Sequence, residues 1–140
     1  MRVVLDADVL IGALDGNDQH HPRARALFRR WQRQDATRLV SVVNLTEVLV
    51  APAADSRRLR AAREAIAALE VAIHQPTEAV GVQAARLRGA HPISLPDAYC
   101  LATARYADAQ IASFDEKMLR AAELETIATT GPATRGRRQR

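Results

Sequence analysis

Four short apolar runs punctuate this chain, and a stretch of helical periodicity separates each from the next. The runs are Arg2–Leu5, Arg38–Val43, Val71–His74 and Ala109–Ser113. Runs of this length read as strands, and Arg38–Val43 is the β-branched one among them. Helices are predicted between them at His21–Arg33, Leu45–Val50, Ser56–Leu69 and Thr77–Arg88, then from Pro96 to Tyr106 and over Glu116–Ala122. Thr77 is placed to cap its helix. A last short strand is predicted at Glu125–Ala128. Strands alternating with helices imply an α/β fold: a central parallel sheet with helical layers on both faces.

In such a sheet, ligands bind beyond the carboxyl ends of the strands. Asp6 lies at the end of the first strand, in VVLDADVLI, with Asp8 two residues on. Glu47 lies in the helix after the second strand, in SVVNLTEVL. Asp97 opens a helix in SLPDAYC, and Asp115 follows the strand that ends at Ser113, in SFDEK. All four junctions fall on one predicted edge.

Each acid alone has a capping alternative. Asp97 and Asp115 stand at helix starts, where a carboxylate satisfies free amides and the helix dipole. Glu47 lies three residues after Asn44, the spacing of a capping box. Asp8 is placed to cap a short helix through Val9–Ala13. Capping does not explain why no Lys, Arg or His stands directly beside these acids, nor why Glu47 and Asp115 interrupt apolar runs. Two carboxylates 4 Å apart repel by about 4 kcal/mol at an effective dielectric near 20. A converging set is tolerated when a hard divalent cation, Mg²⁺ or Mn²⁺, neutralises it. A metal held by carboxylates suits phosphodiester chemistry, because it polarises a phosphate and acidifies a bound water.

Composition sets the remaining bounds. With 140 residues, 48% of them hydrophobic, the chain can build one core without staples. Cys100 is the sole cysteine, so a disulfide framework within the chain is excluded, and a reducing cytoplasm is expected. Asp6 and Asp8 break the one early apolar run, so neither a signal peptide nor a membrane span is expected. The net charge is +4, and Arg135, Arg137, Arg138 and Arg140 supply it. The reading is therefore one domain over residues 1–130 and a basic, disordered tail over 131–140, able to attract phosphates.

The stretches VVLDADVLIGAL, SVVNLTEVL, ISLPDAYCLATA and AQIASFDEKML, in this order and spacing, resemble PIN-domain ribonucleases, in particular VapC-type toxins of bacterial toxin–antitoxin pairs. The resemblance covers residues 1 to about 128. It implies a small three-layer α/β/α fold and a Mg²⁺- or Mn²⁺-dependent endoribonuclease acting on RNA. It maps the acidic site onto Asp6, Glu47, Asp97 and Asp115, with Ser113 helping to shape it. It also implies a homodimer and a cognate antitoxin that blocks the site. Asp8 departs from the family pattern, where a small or amide residue is common; an outer-shell metal contact or a cap is expected of it.

Two further function classes compete. Asp6-Ala7-Asp8 after an apolar strand is similar to the start of haloacid-dehalogenase-type phosphatases, but that family needs a more distant lysine, and the only one here is Lys117. A phospho-receiver domain fails, because Val71–His74 is followed by no acceptor aspartate. The third class is a non-catalytic nucleic-acid-binding module; 4% aromatic content argues against base-stacking platforms. His20, His21, His74 and His91 are expected in packing or surface roles, and Cys100 in the core. Arg57, Arg58, Arg60 and Arg63 read as a solvated helix face. Leu45, Leu49 and Leu10–Leu14 are candidates for a dimer face or for the core.

Overall fold

Val3 and Leu5 face one side of strand β1 (Arg2–Leu5) and Val4 the other, and all three are fully buried. A strand that is apolar on both faces needs a cover on both. The computed structural model, which describes residues 1–130, provides it. Strands β2 (Thr37–Ser41), β3 (Val71–His74) and β4 (Gln110–Ala112) join β1 in a parallel sheet of order β3-β2-β1-β4. The run at 131–140 lies outside the described residues, and so does the tail predicted there.

Helices α1 (Ala7–Leu14), α2 (His21–Arg33), α3 (Val42–Leu49) and α4 (Ser56–Ala68) form one layer. Val9, Leu10, Trp31, Leu45 and Ile66 pack there on Val3, Leu5 and Val40. Helices α5 (Glu78–Ala90), α6 (Leu95–Ala107) and α7 (Glu116–Leu124) form the other, where Ala84, Leu87, Leu101 and Met118 pack on Val4 and Ile111. The result is the three-layer α/β/α arrangement that the alternation predicts. Leu10 and Leu45 lie in the core, and the partly buried Leu14 and Leu49 pack against it. Among the described residues, no helix is long and apolar enough to cross a membrane.

From β1 the chain steps outward to β2 and β3, then returns to place β4 on the far side of β1. The order therefore reverses between β1 and β4, and a crevice is expected at their carboxyl ends. Gly12 lets α2 approach α1 closely: a Cβ there would meet the Ala24 Cβ at 3.2 Å and the His20 Cβ at 3.4 Å.

The structure moves several predicted boundaries. The second strand stops at Ser41, and α3 begins at Val42, because the Ser41 hydroxyl caps the helix by accepting from the Val43 amide. Helix α6 begins at Leu95 because Ser94 caps it, with Pro96 in its first turn. Helix α1 spans Ala7–Leu14, longer than predicted, and Asp6 caps it in place of Asp8.

The strand predicted at Glu125–Ala128 is absent. The Thr126 amide donates to the Glu123 carbonyl and the Ile127 amide to the Ala122 carbonyl, so this segment is used in a Schellman turn that ends α7. Pairing resumes only as an isolated parallel bridge between Ile111 and Thr129.

Thr126 holds the left-handed position of that turn, with φ of 61°. A β-branched residue is strained there, and glycine is the usual occupant. Thr126→Gly should stabilise the fold by about 1 kcal/mol, raising the Tm by about 3–5 °C at this chain length. A lower Tm on thermal denaturation would contradict the assigned turn.

Candidate active site

Asp6 still has extended backbone, with φ −72° and ψ 157°, as the chain turns from β1 into α1. That geometry makes it the N-cap. Its Oδ1 accepts from the Ala7 amide at 2.8 Å, and its Oδ2 accepts from the Ser113 hydroxyl at 2.7 Å. Only 5% of the residue is exposed. Ser113 Oγ also accepts from the Asp115 amide at 3.0 Å. One hydroxyl thus joins the end of β1 to the loop between β4 and α7.

Asp8 does not cap α1. Its Oδ2 accepts from the Phe114 amide at 3.0 Å, tying α1 to that same loop, while its Oδ1 is buried without a hydrogen-bond partner. Asp115 caps α7 by accepting from the Lys117 amide at 3.3 Å. Asp97 sits in the first turn of α6 and forms a capping box with Ser94. The capping alternatives for Asp97 and Asp115 are therefore real features of the structure. They coexist with a common location at the carboxyl edge.

Glu47 reaches this edge by another route. Ser41, not Asn44, caps α3, so the predicted Asn44–Glu47 capping box does not form. Instead, the fully buried Asn44 donates from Nδ2 to Glu47 Oε1 at 3.2 Å and to the Pro96 carbonyl at 3.1 Å. One amide side chain pins α3 to the start of α6, which sets Glu47 beside Asp97. The sequence places Asn44 only as a helix cap; its polarity inside the apolar run SVVNLTEVL is the signal for this buried tie.

The acids feel one another. Burial pushes the Asp6 carboxyl up to about 8, the charges of Asp8 and Asp97 add to this, and the bonds from Ser113 and Ala7 oppose it. Burial likewise raises Asp8 to about 6; the Phe114 amide and the nearby His20 counter it, and Asp115 adds to it. Glu47 and Asp97 are raised by burial first, with repulsion from Asp97 and Asp115 respectively. Repulsion thus runs from Asp6 to Asp8, Asp115, Asp97 and back to Asp6, with Glu47 attached through Asp97. The buried Cys100 thiol is pushed well up by desolvation and then by the charges of Asp6, Asp97, Asp8 and Glu47. Cys100 is therefore a core residue beneath this ring.

Among the described residues, no three His, Cys, Asp or Glu side chains converge closely enough to share one ion. The carboxylates are near enough to raise one another's ionisation, pair by pair. The donor set suits a hard cation all the same: it is all oxygen, and it includes the orphaned Asp8 Oδ1. The histidines take packing roles. His21 Nδ1 lies 2.7 Å from the Gly12 carbonyl oxygen, His91 bonds Glu125, and His74 leans on Tyr106. His20 stacks on Phe114.

A carboxyl that ionises near 3.8 when unfolded but near 8 when folded is a penalty on the fold wherever the unfolded chain alone has lost its proton. Asp8, Glu47 and Asp97 act with the same sign. Stability in EDTA should therefore fall as pH rises from about 4 to 8. Asp6→Asn should remove much of that slope and melt above the parent protein at pH 8. A Tm that rises across this interval in both proteins would rule out the raised Asp6.

The PIN domain family profile matches residues 3–124. No curated protein matches the chain. Similar solved structures include VapC20 of Mycobacterium tuberculosis, a toxin that cleaves the sarcin-ricin loop. It shares 20% identity at a TM-score of 0.70, over 85% of this chain and 94% of that one. VapBC-1 of nontypeable Haemophilus influenzae shares 13% at 0.70, over 93% and 97%. VapBC2 of Rickettsia felis, bound to a promoter DNA fragment, shares 12% at 0.70, over 93% and 98%. At these identities the structural likeness speaks to fold. The profile match spans nearly all the described residues, and on that ground the chain belongs to the PIN-domain family.

Proposed function

We propose that this chain is a Mg²⁺- or Mn²⁺-dependent endoribonuclease and the toxin of a toxin–antitoxin pair. The observation that carries the reading is the ring of mutually repelling carboxylates at the switch point of a PIN-domain fold. Asp6, Glu47, Asp97 and Asp115 would hold the metal, directly or through water, and Asp8 offers its free Oδ1 as a further donor. When bound, the metal supplies Lewis acidity toward a phosphate and acidifies a water for attack.

The chain's own residues hold these carboxylates in place before substrate arrives. Ser113 fixes the second oxygen of Asp6, and each Asp6 oxygen keeps a lone pair in reserve. Asn44 orients Glu47, and Ser94 orients Asp97. Supporting hydrogen bonds of this kind tune the affinity of the groups they hold. The phosphatase alternative is disfavoured, because Asp6 is buried and both its oxygens are engaged, which leaves a poor nucleophile. RNA as substrate and a cognate antitoxin as partner draw support from the toxins and toxin–antitoxin complexes that share the fold. The homodimer follows from the family resemblance.

Incubation with total RNA tests the proposal. Cleavage should require Mg²⁺ or Mn²⁺, stop in EDTA, and fall to background in Asp6→Asn and Asp97→Asn. Asn44→Ala should retain the fold and lose about 10- to 100-fold in activity. Cleavage that survives both chelation and the substitutions would overturn the metal mechanism. Tight RNA binding without turnover would favour the binding module, and an aspartyl-phosphate trapped on Asp6 the phosphatase.

A further inference from the structure

Phe114 stands between two site residues, Ser113 and Asp115, and its amide is bound to a third, Asp8. Its half-buried ring carries two groups from the start of α2. The His20 ring stacks on it at 4.5 Å with an interplanar angle of 27°, and the Arg23 guanidinium lies 4.5 Å from the ring centroid. His20 and Arg23 are three residues apart, the spacing that brings two side chains to one side of a helix.

Arg23 is exposed. Among the described residues it makes no ion pair and no hydrogen bond, although Asp8 and Asp115 both neighbour its platform. A guanidinium laid on an aromatic face keeps its five N–H donors at the rim of its plane, free for a phosphate. Its rotamer freedom is already reduced, so little ordering cost remains when a ligand binds. Other exposed arginines, such as Arg25 on the opposite side of α2, have no such platform.

The geometry points to Arg23, mounted on Phe114, as the residue that grips an RNA phosphate next to the one held at the acidic ring. This rests on the nuclease reading above. The acidic ring repels the substrate backbone on its own. A fixed cation at its border gives the strand a place to dock and a register, without reading base identity. Phe114 acts as a positioning residue, because it touches Arg23 rather than RNA.

The test is steady-state cleavage of a single-stranded RNA at several salt concentrations in Mg²⁺. Arg23→Ala should raise KM about tenfold, the loss of one charge-assisted contact, and leave kcat nearly unchanged. It should lower the slope of log affinity against log salt by roughly 0.7, the share of one phosphate in a single strand. Phe114→Leu should raise KM in the same direction, and Phe114→Tyr should restore it; a merely structural role would shift Tm without this split. Arg25→Ala serves as the control and should match the parent protein. If the parent cleaves RNA and Arg23→Ala keeps its KM and salt slope, this inference alone fails. If the parent cleaves no RNA, the nuclease reading fails with it.

Discussion

The Asp6 carboxylate accepts from the Ala7 amide with one oxygen and from the Ser113 hydroxyl with the other, and three parts of the fold meet there. The first bond starts α1. The second ties the end of the central strand to the loop after β4. Ser113 passes the connection on to the Asp115 amide, and Asp8 takes the Phe114 amide beside it. Both of these loops leave the sheet where its strand order reverses. The interactions that close the fold at this edge are therefore the ones that aim the carboxylates.

That economy has an electrostatic cost. Capping a helix with a carboxylate is favourable when the group stays solvated. Here the caps are drawn together at one edge, and Asp6 is almost wholly buried. Desolvation and mutual repulsion then oppose ionisation more strongly than the hydrogen bonds favour it. The apolar layers on both faces of the sheet hold this strained edge in place. The large buried side chains Trp31, Leu10, Leu101 and Met118 sit in those layers.

The layer order and strand positions were legible in the sequence because burial on both faces leaves continuous apolar runs. Asp6, Asp97 and Asp115 were legible because each follows such a run or opens a helix. Boundaries were less legible where a hydroxyl decided between two continuations. Ser41 turns a β-branched run into a helix by capping it, and Val42 and Val43 carry no trace of that choice in their own propensities. The segment Glu125–Ala128 reads as a strand because Ile127 and Ala128 are apolar, yet the Glu125, Thr126 and Ile127 amides are engaged in ending α7. Asp8 and Asn44 escaped a full reading for a different reason. Their roles depend on Phe114 and Pro96, partners 106 and 52 residues away in the chain, which no local pattern reports.

The isolated bridge between Ile111 and Thr129 is parallel, and its direction matters to anyone handling the protein. Thr130 runs alongside β4 toward the same edge as Ser113, and the Arg30 side chain holds it by donating to its hydroxyl at 3.0 Å. Met1, which leads into β1, lies at the opposite edge, where its carbonyl accepts from the Thr37 amide. A reporter fused directly to Thr130 would therefore start from the edge that carries Asp6, Ser113 and Asp115. The same fusion placed ahead of Met1 would hang from the far rim of the sheet.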